Sequence, residues 1–283
     1  MKLGFFGINN GVMAEPDAMA SVAKAAEQAG LDSVWTGEHV VLPDPHIPPS
    51  PVPPHYPMMD PTAALAFLAA ETKTIALATG IIIVPQRNPA VLAKELATVD
   101  VLSKGRLIFG IGVGYLKPEF DALGVSFEQK GPRTDEYIAA MRALWLQEKP
   151  SFEGKFVSFS NINAFPRPVQ DGGPPVVVGG WSKGAYRRAL AIGQGWYGYN
   201  LDVQGAKDCL TELNGCRQEV SRPGDLGPLE ISITPPPGPI SNDDLKAFED
   251  LGVERLIAVA SPSVRKEGTD GYLRFIEGIA RLL

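Results

Sequence analysis

The sequence predicts an α/β chain folded as a (β/α)₈ TIM barrel with insertions in the βα loops, and three observations carry that prediction. Short apolar, β-rich runs alternate with longer segments of helical spacing along the whole chain. Eight such pairs fit into 283 residues, close to the roughly 250 residues usual for this architecture. The rival, an open doubly wound sheet, calls for a dinucleotide fingerprint at the first helix, and none is there. The sole candidate, GIGVG at 110–114, follows the fourth apolar run and has Tyr115 where a third glycine belongs.

Each element has its own signal. KLGFFGI (2–8) reads as a strand, followed by a helix that opens near Pro16 and Asp17 and closes at Gly30. Met19, Val22, Ala26 and Ala29 share one face of that helix. DSVWTG (32–37) is the second strand; a Pro-rich segment, 43–61, separates it from a helix over 61–71. IALATGIIIV (75–84) precedes a helix over 89–102, and RLIFGIGV (106–113) precedes one over 133–147. FEGKFVSFS (152–160) alternates as a hairpin does, so 150–174 reads as an insertion. The alternation then resumes with PVVVGG (175–180) and a helix over 183–192, and with GWYGYN (195–200) and a helix over 203–220. LEISIT (229–234) leads to a helix over 242–251, and ERLIAVA (254–260) to a last helix over 269–282. The expected organisation is one domain, 1–283, with 43–61 lying over the barrel mouth.

Composition narrows the function classes. Twenty-six Lys and Arg against 32 Asp and Glu leave a net charge of −6, and no basic run favours a nucleic acid or an anionic membrane. No apolar run reaches the roughly 20 residues of a membrane helix, and the opening MKLGFFGINN lacks a secretory pattern. The expectation is a soluble, cytoplasmic protein with a small-molecule ligand. Cys209 and Cys216 stand seven apart on one helix, about 11 Å along its axis, too far for a disulfide.

In a barrel of this kind chemistry collects where strands end and βα loops begin. TGEHVVLP puts Glu38 and His39 there. A histidine at such a mouth can donate to a bound ring or relay a proton near neutral pH, or it can simply tie the strand to its loop. The loop that follows carries nine prolines together with His46, His55 and Tyr56 and reads as a lid or substrate wall. The spacing of these histidines matches no metal motif, so no metal is expected. Gly80, inside its strand, marks a bulge or a close approach to ligand. Gly110, Gly112 and Gly114 clear one face for something flat, or serve tight barrel packing. In GGWSKGAYRRA (179–189), Gly179, Gly180 and a Ser182 N-cap meet Lys183, Arg187 and Arg188, as an anion site would. A plain capped helix start is the alternative. SPSVRKEG (261–268) adds Arg265 and Lys266 to the same face.

These segments together resemble the bacterial-luciferase-like monooxygenase superfamily, and within it the branch that uses coenzyme F420. The resemblance spans nearly the whole chain: GFFGIN, AEQAGLDSVWTGEH, LATGIIIVPQRNPAVLAKELATVDVLSKGRLIFGIGVGY, GPRTDEYI and VVVGGWSKGAYRRALAIGQGWYG. It implies an F420-dependent oxidoreductase that transfers a hydride to or from a small organic substrate. The alternatives are an FMN-dependent monooxygenase and a catalytically silent flavin-binding barrel. By the same resemblance His39 lies near the reactive ring with Glu38 beside it, both as catalytic candidates. Gly80–Ile81 matches a non-prolyl cis peptide that backs the ring. Gly112, Val113 and Gly114 flank the ring and its ribityl chain. Gly179, Gly180, Ser182 and Lys183 match the segment near the cofactor phosphate, with Arg265 and Lys266 toward its anionic tail. Tyr115 stands where the sugar-phosphate dehydrogenases of the family carry a catalytic acid, which argues against that substrate. A homodimer is the family's habit.

Overall fold

The structure, a computed structural model, describes residues 1–283. Its first strands are β1 (Lys2–Phe6), β2 (Ser33–Thr36), β3 (Ala76–Thr79), β4 (Ile82–Ile83) and β5 (Leu107–Gly112). A small hairpin, β6 (Phe152–Glu153) with β7 (Ser158–Phe159), precedes β8 (Val176–Gly179), β9 (Gly195–Tyr199), β10 (Glu230–Thr234) and β11 (Arg255–Val259). Every pairing between strands outside the hairpin is parallel, and the barrel strands run in the order β3-β2-β1-β11-β10-β9-β8-β5. Pairing of Leu77 with Leu107 and Ala78 with Ile108 closes the ring. The result is the (β/α)₈ barrel, with helices between its strands.

The helices are α1 (Pro16–Gln28), α2 (Pro61–Glu71), α3 (Pro89–Ser103), α4 (Lys117–Ala122), α5 (Lys130–Leu146), α6 (Lys183–Ile192), α7 (Val203–Cys216), α8 (Asn242–Asp250), α9 (Pro262–Lys266) and α10 (Gly268–Ala280). Their starts are written in the sequence. Asp60, Asn88, Ser182, Asp202 and Ser241 each accept a backbone N–H of the first turn they precede. Proline, which lacks that donor, occupies the first turn of α1, α2 and α3. No helix is long and apolar enough to cross a membrane.

The core has two compartments. Leu3, Phe5, Leu77, Phe109, Val178 and Leu256 point outward from the strands and pack under the helices. Trp35, Ala78, Val177, Tyr197 and Ile257 fill the barrel interior, as a packed barrel rather than a pore requires. Opposite the mouth, Arg255 is buried between Asp32 (2.7 Å) and Glu230 and ties β11 to its neighbours.

The structure differs from the sequence reading in four places. The run 75–84 is not one strand: β3 and β4 are separated by a cis peptide between Gly80 and Ile81. Helices α4 and α9 were not expected, because five or six residues are too few to show a helical period. Helix α5 begins three residues earlier than 133. Helix α7 stops at Cys216 rather than 220, because Asn214-Gly215 is a weak helical pair and residues 217–219 turn back with i→i−3 bonds.

Candidate functional site

The C-terminal ends of the barrel strands surround a cavity of about 520 Å³. His39, Gly80, Ile81, Gly112, Val113, Gly114, Gly179 and Gly180 all line it, as do Glu38, Tyr56, Tyr115 and Arg265. Ser182, Lys183 and Lys266 do not.

Glu38 and His39 leave β2 in extended chain, where neighbouring side chains point opposite ways. The Glu38 carboxylate is buried; Arg87 donates to it from Nε at 3.0 Å and from a second nitrogen, and the Ile83 N–H donates to its other oxygen. Burial pushes this carboxyl above the ordinary range, and Arg87 and the Ile83 N–H offset only part of that. Arg87 also reaches Asp60 at 2.7 Å. Glu38 therefore clamps the chain after the bulge, and it is not the carboxylate on the His39 ring. That partner is Glu119 of α4, whose Oε2 lies 3.2 Å from His39 Nδ1 and whose Oε1 accepts the Val40 N–H at 2.6 Å. A carboxylate at Nδ1 holds the proton there, which turns Nε2 toward Tyr115, whose hydroxyl is 3.4 Å away. Burial, with Glu119 and Tyr199 nearby, raises the Tyr115 phenol above its usual range, so it stays protonated at neutral pH.

The glycines serve the bulge. A Cβ on Gly80 would stand 2.8 Å from the Thr36 carbonyl oxygen, one on Gly110 would overlap the Thr79 carbonyl, and one on Gly112 would overlap the end of Ile81. The space cleared at 110 and 112 is thus filled from within the protein, by Thr79 and Ile81. Gly114 has φ +73° and room for no side chain, with Ile83 and Phe120 both closer than 3.0 Å.

On the β8 side the expected cluster of cations does not form. Arg187 turns to Glu219 and Arg188 to Asp135, while Lys183 stands 3.9 Å from Glu219. The Ser182 hydroxyl accepts the Ala185 N–H. What this segment offers the cavity is the backbone of Gly179 and Gly180, the latter at φ +119°, and the half-exposed Trp181.

The Pro-rich loop borders the opposite side through Pro51, Val52, Tyr56 and Met58. Asn9, buried at the end of the first strand's loop, donates to Gly37 O (2.9 Å) and Met59 O (2.6 Å) and accepts the Gly37 N–H (2.8 Å). Tyr56 donates to Asn10 Oδ1 at 3.1 Å. Sequence reasoning missed Glu119, Arg87 and Asn9. Glu119 had a visible signal, since KPE places proline at the opening of a helix with an acidic residue in its first turn; Arg87 and Asn9 had none, because their partners are distant in sequence.

The model of the luciferase-like monooxygenase family matches residues 3–269. The chain belongs to that family. A Mycobacterium tuberculosis protein of unassigned function is 29% identical to this luciferase-like chain over 246 residues, 84% of this chain and 85% of that one. An F420-dependent glucose-6-phosphate dehydrogenase of Kineococcus radiotolerans is 32% identical over 188 residues, 64% of this chain and 52% of its own. The crystal structure of the monooxygenase RslO1 from Streptomyces bottropensis shares the fold, with a TM-score of 0.76 and 20% identity over 100% of this chain and 98% of that one. Both F420-dependent dehydrogenases and FMN-dependent monooxygenases thus stand among the luciferase-like relatives.

Proposed function

We propose that this protein is an F420-dependent oxidoreductase that transfers a hydride to or from a small organic substrate. One observation carries the reading: the hydrogen-bonded chain Tyr115–His39–Glu119 opens onto the same cavity as the Gly80–Ile81 peptide. The residues fit a flat tricyclic group, because three glycines, Gly80, Gly112 and Gly114, stand with Ile81 and Val113 along one wall of a cavity of about 520 Å³. A bound deazaflavin supplies or accepts a hydride at carbon and favours two-electron chemistry.

The chain's own residues do the rest. Gly80–Ile81 backs the ring, and Gly112, Val113 and Gly114 lie alongside it. Gly179 and Gly180 border the phosphate at the cavity edge, and it is received just beyond that edge, at Ser182 and Lys183, by the first backbone N–H groups of α6, since the Ser182 hydroxyl is already engaged. His39 holds or gives up a proton at Nε2 as the substrate oxygen gains or loses charge. Glu119 fixes the tautomer that leaves Nε2 free for this, and Tyr115 donates to the same nitrogen when His39 is neutral. The Pro-rich loop keeps water from the cavity. At the same 32% identity, the F420-dependent dehydrogenase aligns over 188 residues and the FMNH2-dependent dimethylsulfone monooxygenase over 155, and the longer match supports the choice of cofactor.

The test is equilibrium titration of the protein with F420 and with FMN, read by quenching of tryptophan fluorescence. Tighter binding of F420 is expected. Equal affinities, or tighter FMN, would overturn the reading in favour of the monooxygenase. Binding of F420 without turnover of any alcohol, aldehyde or ketone would leave the silent barrel.

A further inference from the structure

Arg265 is the only Lys or Arg that lines the cavity. No carboxylate lies within 4.0 Å of it. Its Nε donates to Ala260 O at 3.0 Å, which holds the guanidinium at the end of β11. Three phenols share the cavity with it. Tyr56 comes from the Pro-rich loop, Tyr199 from the end of β9 and Tyr272 from α10, and all three line the same cavity. Burial raises each phenol, that of Tyr272 to about 12, and the Arg265 charge works against the rise at all three. The Tyr56 proton is used on Asn10, whereas the hydroxyls of Tyr199 and Tyr272 have no partner in the chain.

Two free phenol donors and a guanidinium without a counter-ion make a receptor for an anion. A charge-assisted bond to an anionic oxygen is about twice as strong as a neutral one, and the apolar walls strengthen it further. Geometry separates this cluster from the proposed phosphate segment. In the closed ring, β11 is three strands from β8, and Tyr199 leans to the far side, its ring 5.1 Å from Phe6 of β1. The charge is also limited. A single cation balances one negative charge and is a poor match for a phosphate monoester that carries nearly two.

We infer that Arg265, Tyr199 and Tyr272 form a carboxylate subsite, and that the substrate is a small, largely apolar monocarboxylate held there by its acid group. This rests on the reading of the cavity as an oxidoreductase site and names the substrate class for it. The acid anchors at the β11 side while the reacting carbon faces His39.

The test uses benzoate and its neutral isostere benzamide as probes, titrated into the whole protein and followed by intrinsic fluorescence, with thermal melting as a check of folding. Wild type is expected to prefer benzoate by about tenfold, the scale of one charge-assisted contact. Arg265→Gln should abolish the preference, Arg265→Lys should keep part of it, and Tyr199→Phe should weaken benzoate about threefold. F420 affinity in Arg265→Gln should stay within about twofold of wild type. Two results would overturn the inference: no preference for benzoate in wild type, or a loss of F420 in Arg265→Gln that matches the loss of benzoate, which would assign the guanidinium to the cofactor. If Arg265→Gln does not fold, Arg265→Lys and Tyr199→Phe decide on the same criteria. A benzoate preference in a protein that binds no F420 supports the subsite and removes only the choice of F420 as cofactor.

Discussion

His39 reaches the cavity with its proton placed by a residue 80 positions away, so the pair can be separated by mutation. His39→Ala is expected to lower turnover by about 10² to 10⁴, the range of general acid–base work, while F420 affinity stays within a few fold. Glu119→Gln should also lower turnover, because the single amide oxygen stays with the Val40 N–H and the amide NH2 then faces Nδ1, where it can only donate; the ring proton moves to Nε2 and a charged ring loses its counter-ion. Steady-state rates with direct measurement of F420 binding check both. A His39→Ala protein with a normal rate would remove the residue from the reaction. At this scale the sequence is a partial guide. Position at a strand end pointed to Glu38 and His39 together, but extended chain sends adjacent side chains apart. Glu38 therefore meets Arg87, and the carboxylate for His39 comes from α4.

Among the elements, the bulge between β3 and β4 decides the shape of one cavity wall, and its two supporting glycines differ in what they touch. A methyl at Gly110 would meet backbone, the Thr79 carbonyl, which cannot retreat without breaking the pairing of β3 with β5. A methyl at Gly112 would meet the far end of the Ile81 side chain, which can rotate. Overpacking usually costs about 1–3 kcal/mol. Gly110→Ala is expected at or above the top of that range and Gly112→Ala near its bottom, measured by urea unfolding. Gly112→Ala should still weaken F420, since the displaced Ile81 moves into the cavity wall. The reverse order of stabilities would show that the wall is not built on the Thr79 carbonyl. Starts such as those of α6, α7 and α8 were legible because period and capping agree in them, through Ser182, Asp202 and Ser241. The short α4 was not, and the residue that orients His39 sits on it.

The whole barrel divides its labour between two ends, with the loops of the mouth carrying the cavity and the opposite face carrying closure. The eightfold alternation was legible because each βα unit repeats the same local pattern; the cross-mouth contacts were not, since Asn9 to Met59 and Tyr115 to His39 join units that no local pattern links. Arg255 tests the division. It lies at the closed face, its side chain 5% exposed, and binds Asp32 at 2.7 Å and Glu230, so one guanidinium joins β11 and β10 to the chain before β2. Removing one member of a buried ion pair leaves the other charge without a partner and costs about 3–5 kcal/mol. In Arg255→Ala both carboxylates are partly exposed, at 27% and 23%, so water recovers some of that loss and about 3 kcal/mol is expected. For a chain of this size each kcal/mol moves the melting temperature by roughly 2–4 °C, which puts the drop at roughly 6–12 °C by the same scaling. F420 affinity at 25 °C should remain within about twofold, because sites with no shared partners act independently and the mouth lies at the other end of every strand. Calorimetry and the fluorescence titration, run on the same sample, measure the two quantities separately. A proportionate loss of F420 binding would mean that the barrel transmits strain from one end to the other, and that mouth and base do not act as independent halves.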